Sequence, residues 1–470
     1  MDTGYSLKQV LAVAKVHPFY NPDVEYPPTP EEVLAIASSI SKEDNEAIDL
    51  SAIPLATKET LYPTIDRLWK DTNPKNSYRK AAYLSTTGGG SGGIPMLFAT
   101  DVYENRRHRA AAGALVRACG VIEPGDVVFS VHVTGSLYRA LDLMTEIFEM
   151  AGGAVLCAGP YVPRQDAIDS IIELRANVIA GDGSQVLQFA HDVAALPAEK
   201  REKVNIKKVL YTSDALTRDQ RKIVSSVFGA QIYSVNGSCE AGAWSTANFS
   251  ITGEPDEDGV DFMYDSRMMV VEILPPSILE ESGTGGVIRP VPDGEKGILV
   301  QTSLSRLRNP LIRYVTGDMA SVRPFPVTDK IPQEVAQHLR VIRLYGRDRR
   351  FSFKWFGEYF EFHKLKELLQ SKGWGVLQYQ ILLETIPESE ILNLTVRLYR
   401  LNPGMVSPEE GNALFSNEEI LGKLKSFFVV GAVNIDNNDY FKVEFLDSLS
   451  GFERSKTGNK VMNFVDRSKH

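Results

Sequence analysis

Cysteine is scarce in this chain, with only Cys119, Cys157 and Cys239 among 470 residues. They lie far apart, so no C-x-x-C pair is present to hold zinc or to cycle as a redox couple, and a reducing compartment is expected. Long hydrophobic runs are also missing. The apolar stretches fall well short of the roughly 20 residues that a membrane span requires, so no spanning helix is expected. The opening MDTGYSLKQVLAVAKVHPFY has no basic stretch followed by an apolar one, and no secretory leader is expected. Basic residues are outnumbered, 51 Lys and Arg against 60 Asp and Glu. The resulting net charge of −9 excludes a general nucleic-acid or anionic-membrane binder. No repeat of fixed period stands out. What remains is ordinary: 43% hydrophobic and 24% charged residues, in a chain long enough for two or three domains. A soluble, cytoplasmic protein with a large core is expected.

The organisation changes along the chain. Residues 20–60 are rich in proline and acidic residues, with a helical piece at 30–40. From about 80 to 250, short apolar runs alternate with helical spacing: AAYLS, ENRRHRAAAGALVRACG, DVVFSVHV, a helix at 138–152, then AVLCAG. The alternation continues through DAIDSIIELRA, NVIAGDG, VLQFAHDVAAL, KKVLYTS, RDQRKIVSSVFG and QIYSV. That spacing predicts βαβ units and a largely parallel sheet. Beyond 260 the segments MVVEILPP, GILVQTSL, IRYVTGDMASV and LRVIRLYG are β-rich, predicting a meander or barrel-like packing. After Gly346 come a helix at 362–371, the strands QYQILLE and NLTVRLY, a helix at 416–428 and the strand YFKVEFLD. The expected architecture is α/β: a large N-terminal domain over 1–345 with mostly parallel sheets and a β-rich subdomain. A small α+β C-terminal domain over 346–470 would be joined to it by a hinge.

Several segments carry chemistry. The run STTGGGSGGIP at 85–95 lies between two strand-like segments. Its glycines let successive backbone N–H groups face one concavity, as a phosphate cradle requires, with hydroxyls at Thr86, Thr87 and Ser91 as further donors. A flexible surface linker has the same composition, and the run is not a Walker loop, because no G-K-[ST] follows. Glu240 sits in VNGSCEAGAW, on a Gly-rich turn after an apolar strand. A carboxylate there suits Mg²⁺ beside nucleotide phosphates, since open α/β sheets place ligands at strand C-termini; the alternative is an exposed loop acid. Asp318, after a strand and a Gly turn in IRYVTGD, suits a ribose diol or an ordinary turn. Arg347, Arg349, Arg350 and Lys354 crowd LYGRDRRFSFKWF, consistent with a hinge closing over a polyanion or with a basic surface patch. The tail RSKTGNKVMNF offers lysines behind a Thr-Gly turn, as mobile cations or as solvated terminal residues.

Taken in order, these segments resemble the adenylate-forming superfamily, and most closely its phenylacetate–CoA ligase branch. HPFY at 17–20 and IPLATKETL at 53–61 resemble that branch's SPFY and LPFTTKxxL, and GVIEPGD at 120–126 resembles its GVxPGD. Residues 292–318 are similar to PDGExGELVxTxLxxxxxPLIRYxTxD, the longest match. The resemblance implies a phosphate loop containing Gly90, Ser91, Gly92 and Gly93, and a magnesium-linked acid at Glu240. It implies nucleotide contacts from Ser213, Asp214 and Ala215 and from Asn236, Gly237, Ser238 and Cys239, with Asp318 on the ribose hydroxyls. Arg347 would contact the nucleotide across the hinge, and Lys460 would be the adenylation lysine, with Lys456 its competitor in register. His132, Val133, Thr134, Gly135 and Ser136 would line the acyl pocket.

The departures are local. Ile94 stands where the family loop has lysine, Gly92 where it has a hydroxyl, and Asn236 where it has tyrosine. Opposite the branch's H-x-W-E-D stand Phe262, Met263, Tyr264 and Asp265. The implied activity is ATP- and Mg²⁺-dependent activation of a small carboxylic acid, aryl or arylacetic, followed by transfer to coenzyme A. Transfer to an amine or to a carrier-protein thiol is the alternative, and a nucleotide-binding pseudoenzyme is a third. A homodimer is compatible with the family.

Overall fold

The computed structural model describes the chain except residues 1–3, 41–47, 87–96, 136–137, 214–215, 217, 257–258, 280–287, 348–351, 357, 388, 390, 401–413, 429–436, 454–460 and 469–470. It divides into two compact units, one formed by Met1–Thr87 and Leu97–Arg347, the other carrying Asp348–His470. No described helix is long and apolar enough to cross a membrane.

The larger unit is built on one sheet with eleven described strands. Its parallel part runs Ala154–Cys157, Val127–Ser130, Val178–Asp182, Lys208–Thr212 and Gln231–Ser238. These strands are apolar on both faces, as a sheet covered on both sides demands. Alternate residues feed opposite cores, because successive side chains of a strand point to opposite faces. Phe129, Ile179, Val209 and Tyr211 join one core, with Ile168, Val186 and Val224 from helices. Val128, Val178, Ala180 and Leu210 join the other, with Leu115, Met144 and Phe148. Each fully buried aliphatic side chain contributes roughly 1.5–3 kcal/mol, so the alternation locks the strands into register.

The helices Val102–Ala118 and Ala140–Ala151 pack tightly on the second face. A Cβ at Gly113 would lie 2.6 Å from Met150 Cβ and 2.7 Å from Ile147 O, so only glycine permits this approach. Asp101 starts the first of these helices by accepting the Tyr103 and Glu104 amides at 2.9 and 3.0 Å.

The β-rich segments beyond 238 do not close into a separate barrel. Gly242–Asn248 turns back antiparallel on the Gln231 strand, and Val260–Asp265, Leu339–Arg347, Tyr314–Arg323, Gly297–Ser303 and Met269–Leu274 extend the same sheet. The two cores continue across the junction, with Trp244, Phe262 and Tyr264 on one face and Ala243 and Met263 on the other. A continuous hydrophobic layer on each face is the reason that the sheet does not divide.

The smaller unit has a four-stranded sheet in the order Phe441–Leu446, Leu392–Arg400, Val376–Thr385, Phe464–Arg467, with only the central pair antiparallel. The helices Phe362–Gln370 and Asn417–Phe428 cover it through Leu365, Leu369, Ile420, Leu424 and Phe428. Trp355 and Trp374 are buried in the same cluster.

Candidate functional site

Where the sheet changes from parallel to antiparallel, residues 238–242 make a tight turn that carries Glu240. Gly242 has φ +74° and its Cβ would lie 2.6 Å from His108 Nε2, so no other residue fits there. The Ala241 amide donates to Ser238 Oγ at 3.0 Å, closing the turn. Asn236, opposite Ser245 in the ladder, donates to its Oγ at 3.1 Å and braces the stem.

Glu240 is not an exposed loop acid. It is 6% exposed, and its Oε1 accepts the Tyr314 hydroxyl at 3.0 Å and lies 3.5 Å from Lys58 Nζ. Burial alone would raise its pKa, but the Lys58 charge and hydrogen bonds to the carboxylate outweigh burial and hold it below the usual carboxylate range. The group is therefore an anion at neutral pH, fixed in place.

Lys58 and Tyr314 reach Glu240 because two distant segments zip together. The Ala56 amide donates to Arg313 O at 3.0 Å, and the Val315 amide donates to Ala56 O at 2.8 Å. Thr57 and Thr60 then cap the helix Lys58–Lys70 reciprocally, which makes Lys58 its first residue. Arg313, 1% exposed, anchors the junction. Its Nε and Nη2 donate to Glu272 at 3.0 and 2.9 Å, and its Nη1 donates to Ile53 O at 2.6 Å. Sequence reasoning used IPLATKETL and PLIRY only as marks of resemblance and missed Lys58 and Tyr314 as site groups. The capping threonines that flank Lys58, Thr57 and Thr60, were the one local signal for its position.

The glycine run itself, with Gly90, Ser91, Gly92 and Gly93, lies outside the described residues, but its flanks do not. Ala82–Thr86 and Leu97–Asp101 pair antiparallel, with Ser85 opposite Phe98. Ser85 Oγ donates to Cys239 O at 3.1 Å, so the stem that carries the run rests on the Glu240 turn.

Other expected residues fall at strand ends or within strands. Ser213 follows the Lys208–Thr212 strand with φ +66°, a strained conformation for a non-glycine residue and one that recurs at functional sites; Asp214 and Ala215 lie outside the described residues. His132 follows the Val127–Ser130 strand and is fully occupied: its Nδ1 meets Ser130 Oγ at 2.9 Å and its Nε2 meets Thr212 Oγ1 at 3.1 Å. Burial pushes its pKa down to about 3, so the ring is neutral and ties two strand ends together. The Leu141 amide donates to Val133 O at 3.1 Å, and Thr134–Gly135 pairs with Tyr138–Arg139 in a short hairpin. Ser136 lies outside the described residues.

Asp318 was expected after a strand and a turn. Tyr314–Arg323 is a strand, but its register against Gly297–Ser303 shifts between Val315 and Met319 and Gly317 has φ +81°, so a bulge at the Gly turn precedes Asp318, which faces Arg347 in the ladder. The Asp318 amide donates to Thr316 Oγ1 at 3.0 Å. In the smaller unit, Lys456 and Lys460 lie outside the described residues, but the flanks of their segment are clamped. Buried Gln380 donates to Glu453 O at 3.0 Å and Met462 O at 2.7 Å and accepts the Glu453 amide at 3.1 Å.

Among the described residues no group of three or more His, Cys, Asp or Glu side chains could hold a metal ion. A lone carboxylate such as Glu240 still fits Mg²⁺, which takes most of its ligands from phosphates and water.

No family model matches the chain. By sequence, 213 residues are 26% identical to the indoleacetate–lysine synthetase of Pseudomonas savastanoi, covering 44% of this chain and 45% of that protein. The match thus spans less than half of the curated relative. By structure, the chain is similar to 2-hydroxyisobutyryl-CoA ligase in complex with 2-HIB-AMP and CoA in the thioesterification state. That likeness has a TM-score of 0.65 at 16% identity, over 98% of this chain and 87% of the other. An open conformation of the same ligase with the same two ligands matches with a TM-score of 0.53 at 16% identity, over 98% and 89%. The fold is that of adenylate-forming ligases.

Proposed function

We propose that this chain, with its adenylate-forming ligase fold, uses ATP to activate a carboxylic acid as an acyl-adenylate and then passes the acyl group to coenzyme A. The observation that carries this reading is the Glu240 turn. A buried carboxylate, kept ionised by Lys58 and Tyr314, stands just past the C-terminal end of the last parallel strand and under the stem of a glycine-rich run. Open α/β sheets bind their ligands outside the C-terminal ends of the parallel strands.

In the first half-reaction an acid carboxylate oxygen attacks the α-phosphorus of ATP, and pyrophosphate leaves. Both reactants are anions, so catalysis is mainly positioning and neutralisation of charge. Mg²⁺ held by Glu240 would neutralise phosphate charge. Lys58 fixes Glu240 and adds a positive charge beside it. Amides of the run at 90–93 would bind phosphate oxygens, Asp318 the ribose hydroxyls, and Arg347 and Lys460 the developing charge. Residues 213–215 and 236–239 border the nucleotide in this reading. In the second half-reaction a thiol attacks the acyl carbon, AMP leaves, and the thiol proton is released to solvent.

His132, with both ring nitrogens engaged and a pKa near 3, serves as a neutral wall of the acyl pocket with residues 133–136, not as a base. The mobile element in this proposal is the C-terminal domain from 346 to 470, turning about 346–349 between half-reactions.

The match to an indoleacetate–lysine synthetase favours a second reading, in which the acceptor is an amine and the product an amide. Purified protein is incubated with ATP, Mg²⁺ and a panel of aryl and arylacetic acids, with CoA, with lysine, or with neither. Pyrophosphate release and product mass are then measured. Acid-dependent pyrophosphate with an acyl-CoA product supports the first reading, and an amide product the second. A protein that releases no pyrophosphate with any acid would overturn both.

A further inference from the structure

Three buried arginines lie in or beside the loop at 304–309, and two of them are fully accounted for. Arg313 is held by Glu272, and Arg308 by Asp101 together with Ser77 O at 2.9 Å and Lys80 O at 3.2 Å. Arg306 is different. It is 5% exposed, its Nη1 is wholly buried without a hydrogen-bond partner, and no ion pair or hydrogen bond engages its guanidinium among the described residues. Its one close contact of this kind is with the Phe98 ring, 5.6 Å from guanidinium carbon to ring centroid.

Glu104 and Glu240 are within electrostatic reach, but Glu240 is engaged by Lys58 and Tyr314, and Glu104 is already spent. Its Oε1 accepts the Leu307 amide at 3.0 Å, and burial raises its pKa to about 7, so it is a poor counter-ion. Arg306 itself stays a cation, although burial lowers its pKa to about 10. An unpaired buried charge is strongly destabilising, so folds rarely keep one without use. The location suggests the use. Phe98 is opposite Ser85 in the hairpin that carries the glycine run, and Ser85 bonds the Glu240 turn.

We propose that Arg306 is an oxyanion receptor of the substrate site, its free guanidinium edge taking a phosphate oxygen of ATP or the carboxylate oxygen of the acid. The proposal rests on the adenylation reading for what the anion is, though not for the existence of the receptor. It assigns Arg306 a direct contact with substrate, with Phe98 as the apolar floor beneath it. Anion binding would supply the missing hydrogen bonds.

The test is R306M, with R306K beside it. Replacing an unpaired buried charge by an apolar side chain of similar length should leave the apo protein's melting temperature unchanged or raised. Affinity should move the other way. Loss of a charge-assisted hydrogen bond weakens binding by about 10- to 100-fold. Titration calorimetry with MgATP reads the phosphate source, and the KM for indole-3-acetate in pyrophosphate release reads the carboxylate source. A tenfold or greater loss in either, partly restored in R306K, supports the receptor and says which anion it takes. MgATP affinity and acid KM both within twofold of wild type would overturn it, whatever the melting temperature. Wild-type protein that binds MgATP but releases no pyrophosphate would sink the adenylation reading and leave the MgATP comparison standing.

Discussion

Arg313 and Arg306 lie on either side of Pro310, both buried, and they are treated in opposite ways. Around Arg313 a bidentate carboxylate and a backbone carbonyl satisfy the fork. Around Arg306 are an aromatic ring, a carboxyl of raised pKa, the Glu240 carboxylate already engaged by Lys58, and the unpartnered polar atoms Ser305 Oγ and His108 Nδ1. A saturated charge holds segments together. An unsaturated one, in the proposed substrate site, is available to a ligand. The same residue type thus marks structure in one place and recognition in the other.

The largest effect expected from that contrast is on stability. R313M should cost about 3–5 kcal/mol in urea unfolding, because Glu272 is left buried and alone, and R313M/E272L should recover much of the loss. If R313M were no less stable than R306M, the contrast would collapse. Next comes the Glu240 turn, where every charge is partnered. Glu240→Gln should slow pyrophosphate release by roughly 100-fold. Lys58→Met should raise the carboxyl pKa by removing the charge that opposes burial, which moves the acid limb of the pH–rate profile upward. An unmoved limb would mean that Lys58 does not tune this acid.

Glu104 probes the contrast from the other side. Its pKa rises from 4.5 to about 7 on folding, mainly through burial. The stability that it contributes is full below the unfolded value and is lost as pH rises through about 7. E104Q should therefore flatten the pH dependence of the melting temperature between these limits. If E104Q instead destabilised the protein most at pH 8, Glu104 would be the counter-ion of Arg306. The smallest effect is expected in the second unit, where a neutral amide does the holding. Gln380→Leu should cost about 1–3 kcal/mol and speed amide exchange at Glu453 and Met462, the flanks of the lysine segment. Exchange unchanged at both would remove Gln380 as its anchor.

Much of this architecture was legible in local patterning. The alternation of apolar runs and helical spacing over 80–250 matches the parallel strands and their helices, and the strands flanking the glycine run pair as a hairpin stem. Glu240 was legible as a residue on a turn at a strand end, since NGSCEAG carries its own turn chemistry. Its burial and partners were not, because Lys58 and Tyr314 are remote in sequence and meet it only through the ladder beside Ala56. The turn composition of T-G-D was legible as well: it forms a bulge at Gly317 within Tyr314–Arg323, while the pairing on either side of the bulge was not legible.

By itself the sequence determined the kinds and order of the elements, the turns at glycines, and the resemblance carried by ordered motifs. These depend on spacing over a few residues, which a chain displays without folding. Only the tertiary structure decided that the β-rich part extends the first sheet, that His132 is a saturated neutral tie, and that Arg306, unlike the buried Arg308 and Arg313, has no ion-pair partner among the described residues. The physical reason is that burial and pairing are sums over residues far apart in sequence. Whether a charge is satisfied is a property of its surroundings and not of the residue.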